Sequence, residues 1–467
     1  MKMWSGRFRQ PLNPDFERWQ RSFPFDQRLL AEELAASRAH ARALSGIGVL
    51  TADELKRIET GLEKIAQEAA TNPDHLNDDD AEDVHHFVEK HLVALIGETG
   101  YKLHSGRSRN EQIATDLRLH VRSNIDHLQL LLGGLLEAII AKAEQAGDAV
   151  MPAYTHLQKA EPVLVAHWLL AYAEMFVRDV ERLTDCRKRL NFCPLGSGAL
   201  AGATLPLDRR AMAHALDFEA PTGNSLDATS DRDFAVEFVQ ALALLAVHMS
   251  RFAEEMIIFA SQEFGFVQLP EAYSTGSSAM PQKKNPDAME LVRGKAARVI
   301  SAASTLLITL KGTPLAYNKD FQETQQPIFD AGEQSLEMLK TLAGFVTSVE
   351  FDFAEMEAAA ATGYMNALAA ASYLVKKGVP FRRAHEHVAN AVRLGLERGC
   401  ELQDLKLEDL IAIAPEFAPD FYEAVRLRAV LDCHDVVGGT AVARVKDALF
   451  AMKNRVAVLK GGLHAYA

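Results

Sequence analysis

Apolar residues along this chain recur with helical spacing, and the strict alternation that marks a half-buried strand is scarce. Thr51-Ala52-Asp53-Glu54 reads as a capping box, in which the hydroxyl accepts from a first-turn amide and the glutamate reaches back. Asn72-Pro73 closes the helix that follows. From about Arg109 to Ala146 the pattern predicts one long helix, interrupted only by Gly133-Gly134. Glu161-Pro162 starts a second that runs to about Leu190. Ser230 or Asp231 caps a third, which continues to Phe264 before Gly265 stops it. Residues 285–311 form a fourth, and the stretch after Phe321 a fifth. All exceed the roughly eleven or twelve residues of an average helix. The third is apolar almost all round, with Phe234, Val236, Phe238, Val239, Leu242 and Phe252 covering more than one face. Such a helix has to be surrounded by others. The expected fold is therefore all-α, with a central bundle of long helices that assembles across subunits.

The flanks have a different texture. Residues up to about Gly106 suggest shorter helices with irregular connections, and Gly378, Pro380, Gly399, Pro415 and Pro419 punctuate the stretch after Thr362. Three domains are expected: an N-terminal helical domain over 1–106, the bundle over 107–361 and a small helical domain over 362–467.

A chain of 467 residues, 48% hydrophobic, can fill several cores. Fifty basic against sixty-three acidic side chains give a formal charge of −13, which argues against nucleic acid as a partner. Cys186, Cys193, Cys400 and Cys433 have neither metal-ligand spacing nor the density of a disulfide framework. Met1-Lys2-Met3-Trp4-Ser5-Gly6-Arg7 lacks the apolar core of a signal peptide, and no run reaches about eighteen apolar residues. A cytoplasmic protein without membrane contact is expected.

The densest chemistry lies in Gly276-Ser277-Ser278-Ala279-Met280-Pro281-Gln282-Lys283-Lys284-Asn285-Pro286-Asp287. Glycine and small residues leave backbone amides accessible, two lysines supply charge, and Asn-Pro suits a helix start. A loop built this way can hold a carboxylate and stabilise it as charge develops. Ser105-Gly106-Arg107-Ser108-Arg109-Asn110 gathers two guanidinium groups, hydroxyls and an amide at the start of the first long helix, again a setting for carboxylates. Tyr154-Thr155-His156-Leu157-Gln158 places a histidine in a connection confined by Pro152 and Pro162. His85 and His86 point to different helix faces and make a poor metal pair, and no Gly-rich nucleotide loop is present.

The three segments, with Asp227-Ala228-Thr229-Ser230-Asp231-Arg232-Asp233-Phe234 and Tyr317-Asn318-Lys319-Asp320, resemble the argininosuccinate lyase family of the aspartase/fumarase superfamily, in that family's order along nearly the whole chain. The resemblance implies reversible cleavage of argininosuccinate into fumarate and L-arginine, the last step of arginine biosynthesis, with neither cofactor nor metal. It implies Ser277 as base and His156 as acid, or the reverse, with Lys283 stabilising the aci-carboxylate and Glu290 as charge partner. Asp83, Arg107, Ser108, Arg109, Asn110, Thr155 and Asn285 match family positions around the substrate. Ser22, Asp26, Tyr317 and Gln322 match positions around its remaining parts, and Arg232 one that supports the site. Gln325 stands where many relatives carry lysine, which weakens charge-assisted binding of the arginine end. The implied assembly is a homotetramer whose sites draw on three subunits each. Adenylosuccinate lyase, fumarase, aspartase and an inactive crystallin-like relative are the rival readings.

Overall fold

In the computed structural model, which describes residues 10–464, helices make up most of the chain and the strands are short two-stranded pairs. The stretch Met1–Arg7, expected to lack a signal-peptide core, lies outside the described residues. The main helices are α1 (Leu30–Gly46), α2 (Ala52–Thr71), α3 (Val84–Ile96), α4 (Arg109–Ala146), α5 (Val165–Leu190), α6 (Asp233–Phe259), α7 (Asp287–Leu310), α8 (Gln325–Ser348), α9 (Ala367–Lys376), α10 (Phe381–Arg398) and α11 (Val442–His464). The fold is all-α.

Local sequence accounts for the boundaries. Thr51 Oγ1 accepts from the Glu54 amide at 3.3 Å while Glu54 accepts from the Thr51 amide at 3.0 Å, so α2 opens on the expected box. Asp83 caps α3 by accepting from the His86 amide at 2.7 Å. Gly399 ends α10 in the left-handed region, where glycine meets no Cβ penalty.

Several expectations need correction. Gly133-Gly134 does not interrupt α4, because a long helix held by neighbours absorbs the propensity loss of two glycines. Glu161-Pro162 does not start a helix. It lies in β2 (Gln158–Leu164), which pairs antiparallel with β1 (Val150–Thr155), Pro162 facing Pro152. Helix α5 begins only at Val165. Helix α6 ends at Phe259, five residues before the expected stop, and Gly265 with φ 67° belongs to the turn after it. The fourth helix starts at Asp287, since Asn285 is drawn into a strand, and the fifth starts at Gln325 after a 3₁₀ segment, Lys319–Thr324.

The chain forms two compact units. One comprises residues up to His127 with Glu181–Leu244 and Ala297–Ser335; the other comprises Leu128–Val180, Leu245–Ala296 and residues from Leu336 on. The chain passes between them five times, each time within one of the helices α4 to α8. In the first unit, Ala36 and Ala39 of α1 join Leu119, Leu195, Met212 and Phe218 in a buried cluster. In the second, α9 and α10 close over Leu374, Val388, Leu402, Phe417 and Phe421. Helices α4 and α6 are long and apolar enough to cross a bilayer, yet 56% and 50% of their most apolar windows are buried within the chain, as in core helices. Most of the remaining positions of α6 are half-buried, so a helix apolar all round is here only partly enclosed.

Gly395 shows how tightly the last cluster is packed: a Cβ there would meet the Cys400 carbonyl at 2.8 Å and the Tyr364 ring at 2.9 Å. The Tyr364 hydroxyl donates to that same carbonyl at 2.9 Å. Gly395→Ala should therefore destabilise by about 1–3 kcal/mol, whereas Gly46→Ala, which meets nothing within 4 Å, should change little. Thermal denaturation of the two variants side by side checks this; equal melting temperatures would contradict it.

Candidate active site

His156 sits at the tip of the β1–β2 hairpin. Thr155 faces Gln158, so His156 and Leu157 form a two-residue turn, and both have positive φ, 58° and 56°. Turns of this kind normally use Asn and Gly, because other side chains crowd their own backbone in the left-handed region. Holding two ordinary residues there stores strain, and strain concentrates where a side chain must be presented in a fixed direction. Thr155, His156 and Leu157 are exposed, Leu157 at 66%.

Ser277 opens a loop that is closed by β3 (Thr275–Gly276) pairing with β4 (Lys284–Asn285). Asp287 clips the loop base, accepting from the Thr275 amide at 3.2 Å and hydroxyl at 2.6 Å. Ser277 Oγ accepts from the amides of Ala279 at 3.3 Å and Met280 at 3.1 Å. The Lys283 amide donates to the Met280 carbonyl at 3.0 Å, while its ammonium makes no ion pair among the described residues. Lys283, Asn285 and Glu290 border an open depression of about 1170 Å³ with Gln268, Glu271 and Glu350. Among the described residues no hydrogen bond or ion pair joins His156 to Ser277, Lys283 or Glu290.

The remaining candidates lie in the first unit. Arg109, the first residue of α4, donates to Asp83 at 2.9 Å and lies 3.6 Å from Glu82. Asp26 is fully buried and accepts from the Val84 amide at 3.0 Å. Burial and the neighbouring Asp83 charge push its carboxyl up to about 7, against the opposing hydrogen bond from Ser22. Gln322 donates to the Gln20 carbonyl at 3.1 Å. Arg232 is buried with its guanidinium over the Phe321 ring at 5.0 Å, its Nη1 on the Asp231 carbonyl at 2.7 Å, and its Nε and Nη2 without partners. Burial lowers Arg232 to about 10 and raises the Tyr317 phenol. Gln325 is also buried, its side-chain oxygen without a partner. Arg109, Glu82, Arg21 and Lys90 line a cleft of about 750 Å³; Arg107, Ser108 and Arg109 line a second depression of about 680 Å³.

Sequence reasoning missed what lies beneath. Arg107 donates to Ser37 Oγ at 2.9 Å, Ser37 donates to Glu33 at 2.7 Å, and Arg107 stands 3.8 Å from Glu33. His85 and the Gln112 amide also meet Glu33, at 2.9 and 3.1 Å. Burial opposes the Glu33 charge, but Arg107, His85 and these hydrogen bonds hold it well below the usual carboxylate range. Burial and the Glu33 and Glu32 charges hold Asp116 well above that range, opposite to Glu33. Glu33, His85 and Asp116 have ligand atoms within 4.8 Å of one another, a metal-like grouping, but Arg107 already supplies the cation. His86 instead accepts from the Glu82 amide at 3.2 Å, so the two adjacent histidines do face different ways. A lone glutamate in α1 gave no signal; its role follows from an arginine about seventy positions away.

Residues 6–301 match the model of a lyase family, and residues 364–432 that of the argininosuccinate lyase C-terminal region. An argininosuccinate lyase of Acidobacterium capsulatum is 60% identical over 97% of this chain and 95% of its own. One of Koribacter versatilis is 58% identical over 100% of both chains. Among solved structures, EDDS lyase in complex with formate superposes with a TM-score of 0.85 at 24% identity, covering 98% of this chain and 92% of that one. A class II fumarase from Schistosoma mansoni gives 0.73 at 14% identity, covering 85% and 90%. At such identities the likeness to solved structures speaks for the fold; identities near 60% over whole chains speak for more. This chain belongs to the argininosuccinate lyase family, within the superfamily of fumarases and aspartases.

Proposed function

We propose that this chain catalyses the reversible β-elimination of argininosuccinate to fumarate and L-arginine, the last step of arginine biosynthesis. The observation that carries this reading is the similarity of 58–60% identity, over nearly the whole length, to argininosuccinate lyases. The chemistry asks for a base at the carbon beside a carboxylate, for positive charge where that carboxylate becomes a dianionic aci-form, and for an acid at the departing nitrogen.

The Ser277 loop suits the first two demands. A serine hydroxyl is a poor base, but two amides already donate to Oγ, and donors of this kind favour an alkoxide over a hydroxyl. The unpaired Lys283 ammonium and Asn285 are placed to stabilise the aci-carboxylate. His156 serves as acid, with Glu290 as charge partner; the reverse division of roles between Ser277 and His156 meets the same demands. Arg107, Ser108, Arg109, Asn110 and Thr155 hold carboxylates. Ser22, Asp26, Asp83, Tyr317 and Gln322 surround the remaining parts of the substrate, with Arg232 supporting them.

Assembly belongs to the same reading: a homotetramer in the cytoplasm, each site drawing on three chains. Helix α7 leaves Leu291, Ile300, Leu307 and Ile308 exposed at 59%, 41%, 49% and 63%, more apolar surface than one helix of an unassembled chain normally presents. That no hydrogen bond or ion pair joins His156 to Ser277 among the described residues fits sites completed between chains. Three sequential domains, 1–106, 107–361 and 362–467, fit this scheme, and the C-terminal family match beginning at 364 supports the second boundary.

The direct test is fumarate release, followed by absorbance, from argininosuccinate, adenylosuccinate, malate and aspartate in parallel. Only the first should be turned over efficiently; equal or better turnover of another would overturn the assignment.

His156→Asn and Ser277→Ala should each lower turnover by on the order of a hundredfold or more while leaving the melting temperature almost unchanged, since both lie in polar segments. Co-expressed and randomly mixed, the two dead variants should recover activity in about one quarter of sites, because independent chains supply the two residues. Mixed oligomers, verified with two affinity tags, that stay inactive would refute the shared site.

Lys283→Met should lower turnover more than it raises the Michaelis constant, because its charge is needed most in the dianionic state. Asp26 gives a pH signature. Its folded carboxyl titrates near 7 rather than 3.8, so it holds a proton that the unfolded chain releases between those values. Its contribution to stability is therefore lost as pH rises through that window. A cationic substrate group needs the ionised form, so the Michaelis constant should fall as pH rises from 6 to 8, and Asp26→Asn should abolish that trend. A pH-independent Michaelis constant in the parent enzyme would contradict it.

A further inference from the structure

Glu111 lies in the first turn of α4, completely buried, and belongs to none of the groups assigned so far. Ser108-Arg109-Asn110-Glu111 has capping-box spacing, and Glu111 Oε1 accepts from the Ser108 amide at 3.1 Å. Its other oxygen leaves the helix. Oε2 accepts at 2.8 Å from the amide of Gly198, in the segment Gly196-Ser197-Gly198-Ala199-Leu200-Ala201-Gly202-Ala203. A single carboxylate thus joins the start of α4 to a glycine-rich loop about ninety residues away in sequence. Asn110 repeats the connection from its side chain, donating to the Ala199 carbonyl at 3.1 Å.

The glycine loop is itself held firmly. Arg209 grips its rear, donating to the Leu195 carbonyl at 2.9 Å and to Ser197 Oγ at 3.2 Å. Gly198 has φ 60°, and a Cβ there would meet the Gly202 carbonyl at 2.8 Å, so only glycine fits. Between this loop and Arg107–Arg109 lies the depression of about 680 Å³. Its lining holds two guanidinium groups and no carboxylate, with the small residues of the loop on the other wall. The adjoining cleft of about 750 Å³ is lined by Glu17, Asp79, Asp80, Glu82 and Glu89 besides its basic groups. Arg109 borders both. The depression, unlike the cleft, therefore suits a dicarboxylate with a small carbon skeleton.

We infer that Glu111 is a positioning residue for the reaction: it clamps the glycine-rich loop to Ser108–Asn110 and so shapes a subsite for the fumaryl end of the substrate. This rests on the argininosuccinate reading for the identity of the two ends. The clamp needs both oxygens of a carboxylate. Glutamine at this position offers one acceptor and one NH₂ donor to two converging amides, so one of the two segments must be released.

The test is product inhibition read separately for the two products. Glu111→Gln should raise the inhibition constant of fumarate about tenfold, the effect of one charge-assisted hydrogen bond, while that of arginine changes less than about twofold. Leu200→Glu, at a site 45% exposed on the loop, places a negative charge at the rim and should shift the fumarate constant in the same direction without disturbing the core. A variant that merely loosened the fold would weaken both products alike, and that result, or no change for fumarate in either variant, overturns the inference. If Glu111→Gln fails to fold, Leu200→Glu decides alone. Fumarate binding is also measured by thermal shift, where a fixed fumarate concentration should stabilise the parent enzyme more than either variant. If the parent fails to cleave argininosuccinate but keeps this difference, the reaction assignment falls and the clamp stands.

Discussion

Burying charged groups is costly unless each is met by hydrogen bonds or an opposite charge, and this chain buries several beneath one spot, the start of α4. Glu33, Glu111 and Asp116 are all completely inaccessible there. For Glu33 and Glu111 the solution to desolvation fixes a piece of backbone or an arginine. Glu33 takes Arg107, Ser37, Gln112 and His85; Asp116 is pushed well above the usual carboxylate range; Glu111 takes amides from two separate segments. Loops on a protein surface normally choose among conformations. These cannot move without exposing a carboxylate to an apolar, low-dielectric interior, which makes the arrangement of Arg107, Ser108 and Arg109 a consequence of what is buried rather than of the loop's own sequence.

That dependence explains what the sequence disclosed. Helices α4 to α8 were legible because their apolar spacing persists over many turns, and the cap at Thr51 because its partner lies three residues away. The Ser277 loop, the His156 connection and the Ser105–Asn110 segment were legible because each gathers its chemistry within a dozen residues. The errors came where a tertiary partner overruled local preference. Pro162 looked like a helix start and became half of a strand pair because Pro152 stands opposite it. Asn285 looked like a cap and became a strand residue because Thr275 pairs with it. Glu33 and Glu111 stayed hidden because a solitary glutamate in a helix has the pattern of a solvated one; only contacts with residues about seventy and ninety positions away distinguish them.

The hairpin of His156 obeys the opposite logic. Nothing buried fixes it; its tip is exposed and two ordinary residues hold left-handed backbone there. A bulge between Ala153 and Tyr154 and the paired prolines stiffen the strands behind the tip, so the strain cannot relax by slipping the register. Among the described residues no hydrogen bond or ion pair ties the strained, exposed histidine to its own chain. In the proposed assembly it gains a role where the tip enters a site formed by another copy, and the exposed apolar residues of α7 fit such a contact.

These two modes divide the labour of binding and proton transfer. Groups that must recognise fixed charges on a substrate profit from being locked, since any reorganisation on binding subtracts from affinity. The Arg107–Arg109 segment is of this kind, set on buried carboxylates before any ligand arrives. A base and an acid face a different demand. They must approach the reacting carbon and the departing nitrogen from opposite sides and then release both products, which favours segments that project and close, such as the Ser277 loop on its short strand pair and the His156 tip. Under the proposed reaction, buried charge would supply recognition and exposed loops proton transfer, and a lyase that must let go of two dissimilar products needs the second as much as the first.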